Sequence, residues 1–148
     1  LLIPPPIQAL FSAIIMWSIS KYSLHTNFNL NGINILALVF LIIAIIMIVL
    51  SINKFKKNRT TISPLRPNKT SSLITSGIYN YTRNPMYLGL LLMLFSTALF
   101  IKNFISFLII PLFVIFINKN QILPEEQILE NIFGEEYRNY KKKVKRWI

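Results

Sequence analysis

Apolar residues in this chain come in long blocks rather than in alternation. Ile7 to about Ser20 is apolar and follows Pro4-Pro5-Pro6. Ile33 to Ile52 runs without a charge. Met86 to Ile117 is apolar and is broken once, at Lys102-Asn103. A helix needs roughly 20 apolar residues to cross a bilayer, and no strand needs runs of this length. The blocks therefore predict membrane helices over about 4–21, 33–52, 86–101 and 104–118. Prolines are tolerated in a first helical turn, so Pro4 to Pro6 read as the start of the first helix. The last two spans are short. They fit a thinned bilayer, or a helical hairpin that turns at Lys102-Asn103 without crossing fully. Pro111 is expected to kink the second of them.

The polar stretches fill in the remainder. Lys21 to Asn31 reads as a loop closed by Gly32, and Asn53 to Arg59 as a basic edge that stops the second span. Thr60 to Ser76, with Pro64, Pro67 and many hydroxyls, reads as an irregular connector. Pro124-Glu125-Glu126 has the pattern of a helix N-terminus, with proline early and carboxylates where the dipole favours them. Ile128, Leu129, Ile132 and Phe133 give that helix an apolar face. Gly134 interrupts, and Glu135 to Val144 can form a second amphipathic helix. The expected fold is an all-α integral membrane protein: about four transmembrane helices, the last two a short hairpin, plus C-terminal amphipathic helices. One membrane-embedded domain over residues 1–148 is expected.

Composition narrows the class. The chain has 148 residues, 53% of them hydrophobic, and a mean hydropathy of +0.52. There is no cysteine, which excludes disulfides and thiolate metal sites. The one histidine, His25, has no Asp in the chain to join it, so no metal site is expected. The first apolar run lacks the basic residues ahead and the small-residue cleavage site behind that mark a cleavable signal peptide. The formal charge of +11 resembles that of nucleic-acid binders, but the basic residues flank apolar spans. They read as topology signals and as contacts to anionic lipid, with no nucleic-acid partner. Lys54, Lys56, Lys57, Arg59, Arg66, Lys69 and Arg83 fall between the second and third spans. Lys119, Arg138, Lys141, Lys142, Lys143, Lys145 and Arg146 follow the last span, whereas only Lys21 and Lys102 fall on the opposite face. The positive-inside rule then puts both termini and the 53–87 segment in the cytoplasm, across what we expect to be a bacterial inner membrane.

This topology brings two polar segments to one face. Gly77 to Gly89 carries Tyr79, Tyr81, Arg83, Asn84 and Tyr87 just where the chain enters a span. The acidic residues all lie between Glu125 and Glu136. Together they gather polar and aromatic groups at one membrane face, which suggests a site and not only an anchor. Glu125 and Glu126 can accept hydrogen bonds there, and Arg83 and Asn84 can donate them. Blander readings stand beside these. Arg83 can be a positive-inside anchor, Tyr79, Tyr81 and Tyr87 an interfacial aromatic belt, and Glu125 and Glu126 helix-terminus charges. Tyr81 is assigned to the belt, and Tyr79 and Tyr87 to the site. Glu130, Glu135 and Glu136 read as a solvated face, Gly89 as a point of close helix packing, and Lys141 to Lys145 as a lipid-surface cluster.

Leu73-Ile74-Thr75-Ser76-Gly77-Ile78-Tyr79, followed by Arg83-Asn84-Pro85-Met86-Tyr87-Leu88-Gly89, resembles the signature of the isoprenylcysteine carboxyl methyltransferase family and of the related phospholipid N-methyltransferases. The second half is also present: Pro124-Glu125-Glu126, then Phe133-Gly134-Glu135-Glu136-Tyr137-Arg138-Asn139-Tyr140-Lys141. The resemblance covers roughly Thr60 to the C-terminus. It implies an integral membrane enzyme that transfers a methyl group from S-adenosylmethionine to a lipophilic small-molecule or lipid-anchored acceptor. Carried over position by position, it implies cofactor contacts at Leu73, Ile74, Tyr79, Asn84, Pro85, Met86, Tyr87 and Glu125, from segments 70–89 and 121–140. It implies catalytic roles for Arg83 and Glu126. Gln121 stands near where the eukaryotic enzymes carry a substrate-facing arginine, which argues against a prenylcysteine carboxylate as acceptor. Asn84 replaces the motif's histidine. It keeps a hydrogen-bond donor but cannot act as a general base. Two rival readings are a reductase resembling the membrane sterol reductases, using a reduced nicotinamide nucleotide, and a non-catalytic protein whose basic tail binds anionic lipid.

Overall fold

The computed structural model describes residues 3–23, 26–57 and 72–148. His25, Arg59, Arg66, Lys69 and most of the Thr60–Ser76 connector lie outside them. All the regular elements described are helical. α1 spans Pro5–Tyr22 and begins, as the sequence predicts, with prolines in its first turn. α2 spans Ile33–Lys57 and ends in Lys54, Lys56 and Lys57. A 3-10 turn, Gly77–Asn80, leads into α3, Pro85–Ile101. α4 spans Ile109–Ile117, α5 Leu123–Phe133 and α6 Glu135–Lys143.

α2 and α3 form the tightest pair, and small residues make this possible. Ala37, Ala44 and Ser51 recur every seven residues on one face of α2 and are fully buried. Opposite them, Gly89 approaches so closely that a Cβ there would sit 2.6 Å from Ile48 Cγ1 and 3.1 Å from the Ala44 carbonyl. The Ser96 hydroxyl donates to the Ala37 carbonyl at 2.7 Å. Small residues and an interhelical hydrogen bond are the usual means of joining helices where lipid offers no hydrophobic drive. A second core forms where α1 meets α3 and α4, around Met16, Leu94, Phe113 and Ile117. The outward faces of α1 and α2 stay apolar: Leu10, Phe11, Trp17, Ile35, Ile42 and Val49 are all exposed. Apolar exposure on this scale belongs in lipid.

The structure refines one expectation. α5 has Pro124 and Glu125-Glu126 in its first turn, as the sequence predicts, but it follows the preceding helix without a break. A helical rod runs from Ile105 to Phe133, through a 3-10 turn at Ile105–Leu108, α4, a π-turn at Asn118–Ile122 and then α5. Proline lacks an N–H and clashes with the carbonyl four residues before it. The wider π-turn accommodates Pro124 by loosening the ladder just ahead of it. Glu125 and Glu126 stand in the first turn of α5, within a rod that continues on their N-terminal side. Pro111 sits where 3-10 geometry passes into α4. α2 and this rod are each long and apolar enough to cross a membrane; α3, at 17 residues, is shorter.

The turn at Lys102-Asn103 forms where the sequence puts it. Lys102 takes the left-handed conformation, with φ 58°. Asn103 is fully buried, and its amide donates to the Ser23 carbonyl at 2.9 Å and to Asn27 Oδ1 at 2.8 Å. Its own Oδ1 accepts from the backbone N–H groups of Ile105 and Ser106, capping the rod. Around it, the Phe28 N–H donates to the Lys102 carbonyl and the Phe104 N–H to the Thr26 carbonyl. This end of the bundle is closed by satisfied polar groups.

Candidate functional site

The other end holds a cavity of about 400 Å³. Its walls come from α1, α2, the 72–74 segment, the 3-10 turn, the start of α3, the π-turn, α5 and α6. Leu73, Ile74, Tyr79, Arg83, Asn84, Pro85, Met86, Tyr87, Gln121, Glu125 and Glu126 all line it. Every residue singled out from the sequence thus faces one space. Tyr81, assigned to the aromatic belt, is exposed and outside it.

Each wall is placed by a local cause. Gly77, with φ 69°, opens the 3-10 turn in a conformation that suits glycine. The turn buries Tyr79, whose carbonyl accepts the Tyr140 hydroxyl at 2.7 Å and whose ring meets Phe55 edge-on at 5.8 Å. Pro85 starts α3 and fixes the approach of Met86 and Tyr87. Gly134, with φ 51°, breaks the rod. α6 then folds back, so that Tyr137 and Tyr140 complete the cavity. The hydroxyls of Tyr79, Tyr137 and Tyr140 are pushed above the ordinary tyrosine range, mainly by burial. They stay neutral donors at any physiological pH.

The two glutamates differ. Glu126 is locked: Arg83 Nη2 lies 3.0 Å from its Oε1, and Arg146 grips both oxygens, with Nε–Oε1 at 3.1 Å and Nη2–Oε2 at 2.8 Å. Glu125 accepts the Tyr87 hydroxyl at 2.7 Å and has no cation partner among the described residues. Burial pushes its carboxyl up to about 7, against the lowering effect of the Tyr87 hydrogen bond. The apolar part of the rod ends at Ile117, two turns before it. Glu125 is thus a partly buried carboxylate poised to gain from a cation.

Three buried polar atoms in the cavity wall have no partner among the described residues: Arg83 Nε, Arg83 Nη1 and Gln121 Oε1. Unmet hydrogen-bonding groups in such a place are costly, and a bound ligand is a common remedy. The Asn84 amide is not among them, since it donates to the Arg146 carbonyl at 3.0 Å. No group of three or more potential metal ligands occurs among the described residues.

Sequence reasoning missed Arg146, read there only as part of the basic tail. The 144–147 segment runs beneath the motif. The Lys145 carbonyl accepts the Arg83 N–H at 3.0 Å, and the Arg146 carbonyl accepts both Asn84 and the Thr82 hydroxyl. Trp147 Nε1 reaches Asn118 Oδ1 at 3.2 Å. The tail therefore straps the first half of the site to the π-turn of the second. The one available signal was indirect: a buried Glu126 and Arg83 leave unmet capacity that a further cation can fill. Phe55, Tyr137, Pro5 and Pro6 were also not foreseen as lining residues.

The fold and the cavity define a helical membrane protein with a mixed polar and apolar chamber at one end. Residues 33–136 match the phospholipid methyltransferase family, and the chain belongs to that family. Individual relatives agree. The chain is 38% identical over 77 residues to a protein-S-isoprenylcysteine O-methyltransferase of Schizosaccharomyces pombe, covering 52% of this chain and 33% of that one. It is 34% identical over 88 residues to a methanethiol S-methyltransferase of Pseudomonas deceptionensis, covering 58% and 32%. It is 48% identical over 63 residues to an uncharacterised protein of Haemophilus influenzae, covering 43% of this chain and all of that one. The matched stretch thus spans about a third of the two named methyltransferases.

Proposed function

We propose that this chain transfers a methyl group from S-adenosylmethionine to a lipophilic acceptor at the cytoplasmic face of a membrane that it crosses four times. The observation that carries the reading is the cavity in which Arg83, Glu125, Tyr79 and Tyr87 converge beside apolar walls. Its volume lies within the range of small-molecule sites, roughly 300–1,000 Å³. The donor set also fits. Arg83 keeps N–H donors with no partner among the described residues, free for a carboxylate. Glu125, with no cation partner among the described residues, suits an ammonium. Tyr79 and Tyr87 offer aromatic faces to a sulfonium. Leu73, Ile74, Asn84, Pro85 and Met86 shape the surrounding wall.

S-adenosylmethionine, when bound, supplies an electrophilic methyl group on a cationic sulfur. The protein's part is orientation and electrostatics. Orientation alone can supply about 7–11 kcal/mol in the best cases. Glu126, with both oxygens taken by arginines, holds Arg83 in place rather than touching the reacting atoms. Asn84 fixes the tail strap, which covers the site from below. Ile48, Ile52, Phe55 and Leu90 give the cavity an apolar side that suits the acceptor's tail and excludes water.

The rival reductase reading predicts a different cofactor. A ligand that binds only the folded state raises thermal stability. In detergent, S-adenosylhomocysteine is expected to raise the melting temperature at submillimolar concentration, and NADPH is not. Stabilisation by NADPH alone would overturn the proposal.

A further inference from the structure

Glu126 is one carboxylate between two arginines, and the two do not hold it equally. Arg146 takes both oxygens side-on, with Nε–Oε1 at 3.1 Å and Nη2–Oε2 at 2.8 Å. Arg83 is left with one contact, Nη2 to Oε1 at 3.0 Å, on an oxygen that Arg146 also uses. An arginine beside a carboxylate often grips both oxygens in a fork. Arg83 cannot, because Arg146 occupies that position. Arg83 Nε and Nη1 therefore stay buried without a partner among the described residues. Arg83 lines the cavity, whereas Arg146 is not in its wall. The main chain holds Arg146 in place. Its carbonyl accepts from the Thr82 hydroxyl and the Asn84 amide, and the Lys145 carbonyl accepts the Arg83 N–H. These backbone acceptors survive any side-chain change at 146. The ion pairs set two guanidinium charges against one carboxylate, so the cluster is short of an anion.

We infer that Arg146 is a positioning residue: by occupying the forked site on Glu126, it keeps two N–H-bearing nitrogens of Arg83 free for the carboxylate of the bound methyl donor. This rests on the methyl-transfer reading, in which Arg83 meets that carboxylate. Without the Arg146 side chain, the Arg83 guanidinium turns onto both oxygens of Glu126, and the pair closes on itself. The buried carboxylate keeps a counter-ion, so the fold is spared. The cavity wall also keeps its residues, but its anion donor is spent. A nucleoside ligand without a carboxylate does not feel the change.

The test compares S-adenosylhomocysteine with its decarboxylated analogue, which keeps the nucleoside and the ammonium. Both are titrated calorimetrically into the full chain in lipid nanodiscs. A charge-assisted hydrogen bond is worth roughly tenfold or more, so the native protein should prefer S-adenosylhomocysteine by at least about tenfold. Arg146→Gln should cut that preference to about twofold, through S-adenosylhomocysteine alone, with affinity for the analogue held within about twofold of native. Arg146→Lys keeps the charge but replaces a planar fork with a point donor, so its preference should fall between those two values. The lysine variant carries the test if Arg146→Gln does not fold. A merely structural role would weaken both ligands together, and that result overturns the inference. So does a native preference below about twofold, or a native-like preference in either variant. No binding of S-adenosylhomocysteine to the native protein instead overturns the methyl-transfer reading.

Discussion

The two ends of the bundle bury polar side chains in opposite ways. At one end Asn103 is fully buried and every hydrogen-bonding atom of its side chain is used, on Ser23, Asn27, Ile105 and Ser106. At the other, Arg83 and Gln121 are nearly as buried, yet three of their polar atoms have no partner among the described residues. The first arrangement is complete as folded and holds a loop, a turn and a helix start together. The second leaves hydrogen-bonding capacity unspent around a cavity. Satisfaction marks the structural end; its absence is what motivates the proposal that the other end binds a ligand.

Substitutions should separate the two ends, and the largest effect is expected at Glu126. Glu126→Ala leaves Arg83 buried without its counter-ion, and removing one partner of a buried pair costs about 3–5 kcal/mol. Thermal unfolding in detergent should show a large loss together with loss of nucleotide binding. A mild change would mean that Arg83 is solvated in place. Next is Asn103→Ala, which strands several buried partners at about 1–3 kcal/mol and should lower the melting temperature while leaving S-adenosylhomocysteine affinity unchanged. An affinity change there would break the division between the ends.

The pH dependence is more modest. Burial raises the Glu125 carboxyl to about 7. An acid with a raised folded value is stabilised in its protonated form, so its contribution to stability is complete below its ordinary value near 4.5. That contribution falls as pH rises toward 7 and is level above it. Ligand binding has the opposite sign, because an ammonium needs the carboxylate. Affinity for S-adenosylhomocysteine should rise about tenfold from pH 6 to pH 8, and Glu125→Gln should flatten the curve. Calorimetric titration across that range checks both. The smallest effect belongs to the surface. Glu135→Gln removes an exposed pair with Arg138 and should leave both melting and binding unchanged.

Much of this was legible in the sequence, and the limits have physical reasons. Block hydrophobicity located α1, α2 and α3, because a helix in lipid must be apolar all round. Lys102-Asn103 and Gly134 marked real breaks, since each needs a backbone conformation that helices lack. Pro124 marked the start of α5, but the π-turn at Asn118–Ile122 joins α5 to the helix before it, and nothing local encodes that turn. The residue types at 73–87 and 121–126 pointed to one site because motif order and topology brought them to one face. Arg146 escaped notice because a basic tail looks alike whether it meets lipid or Glu126. Only the return of α6 past Gly134 distinguishes the two.

The central claim is that the unsatisfied end binds the methyl donor. Isothermal titration of S-adenosylhomocysteine into the purified protein tests it most directly, run in parallel on Glu125→Ala, Tyr87→Ala and Asn103→Ala. The account predicts saturable one-site binding in the native protein and in Asn103→Ala, weakened at least tenfold in the other two, about the worth of one charged hydrogen bond. No heat of binding at millimolar ligand, or binding that Glu125→Ala and Tyr87→Ala leave untouched, would contradict it.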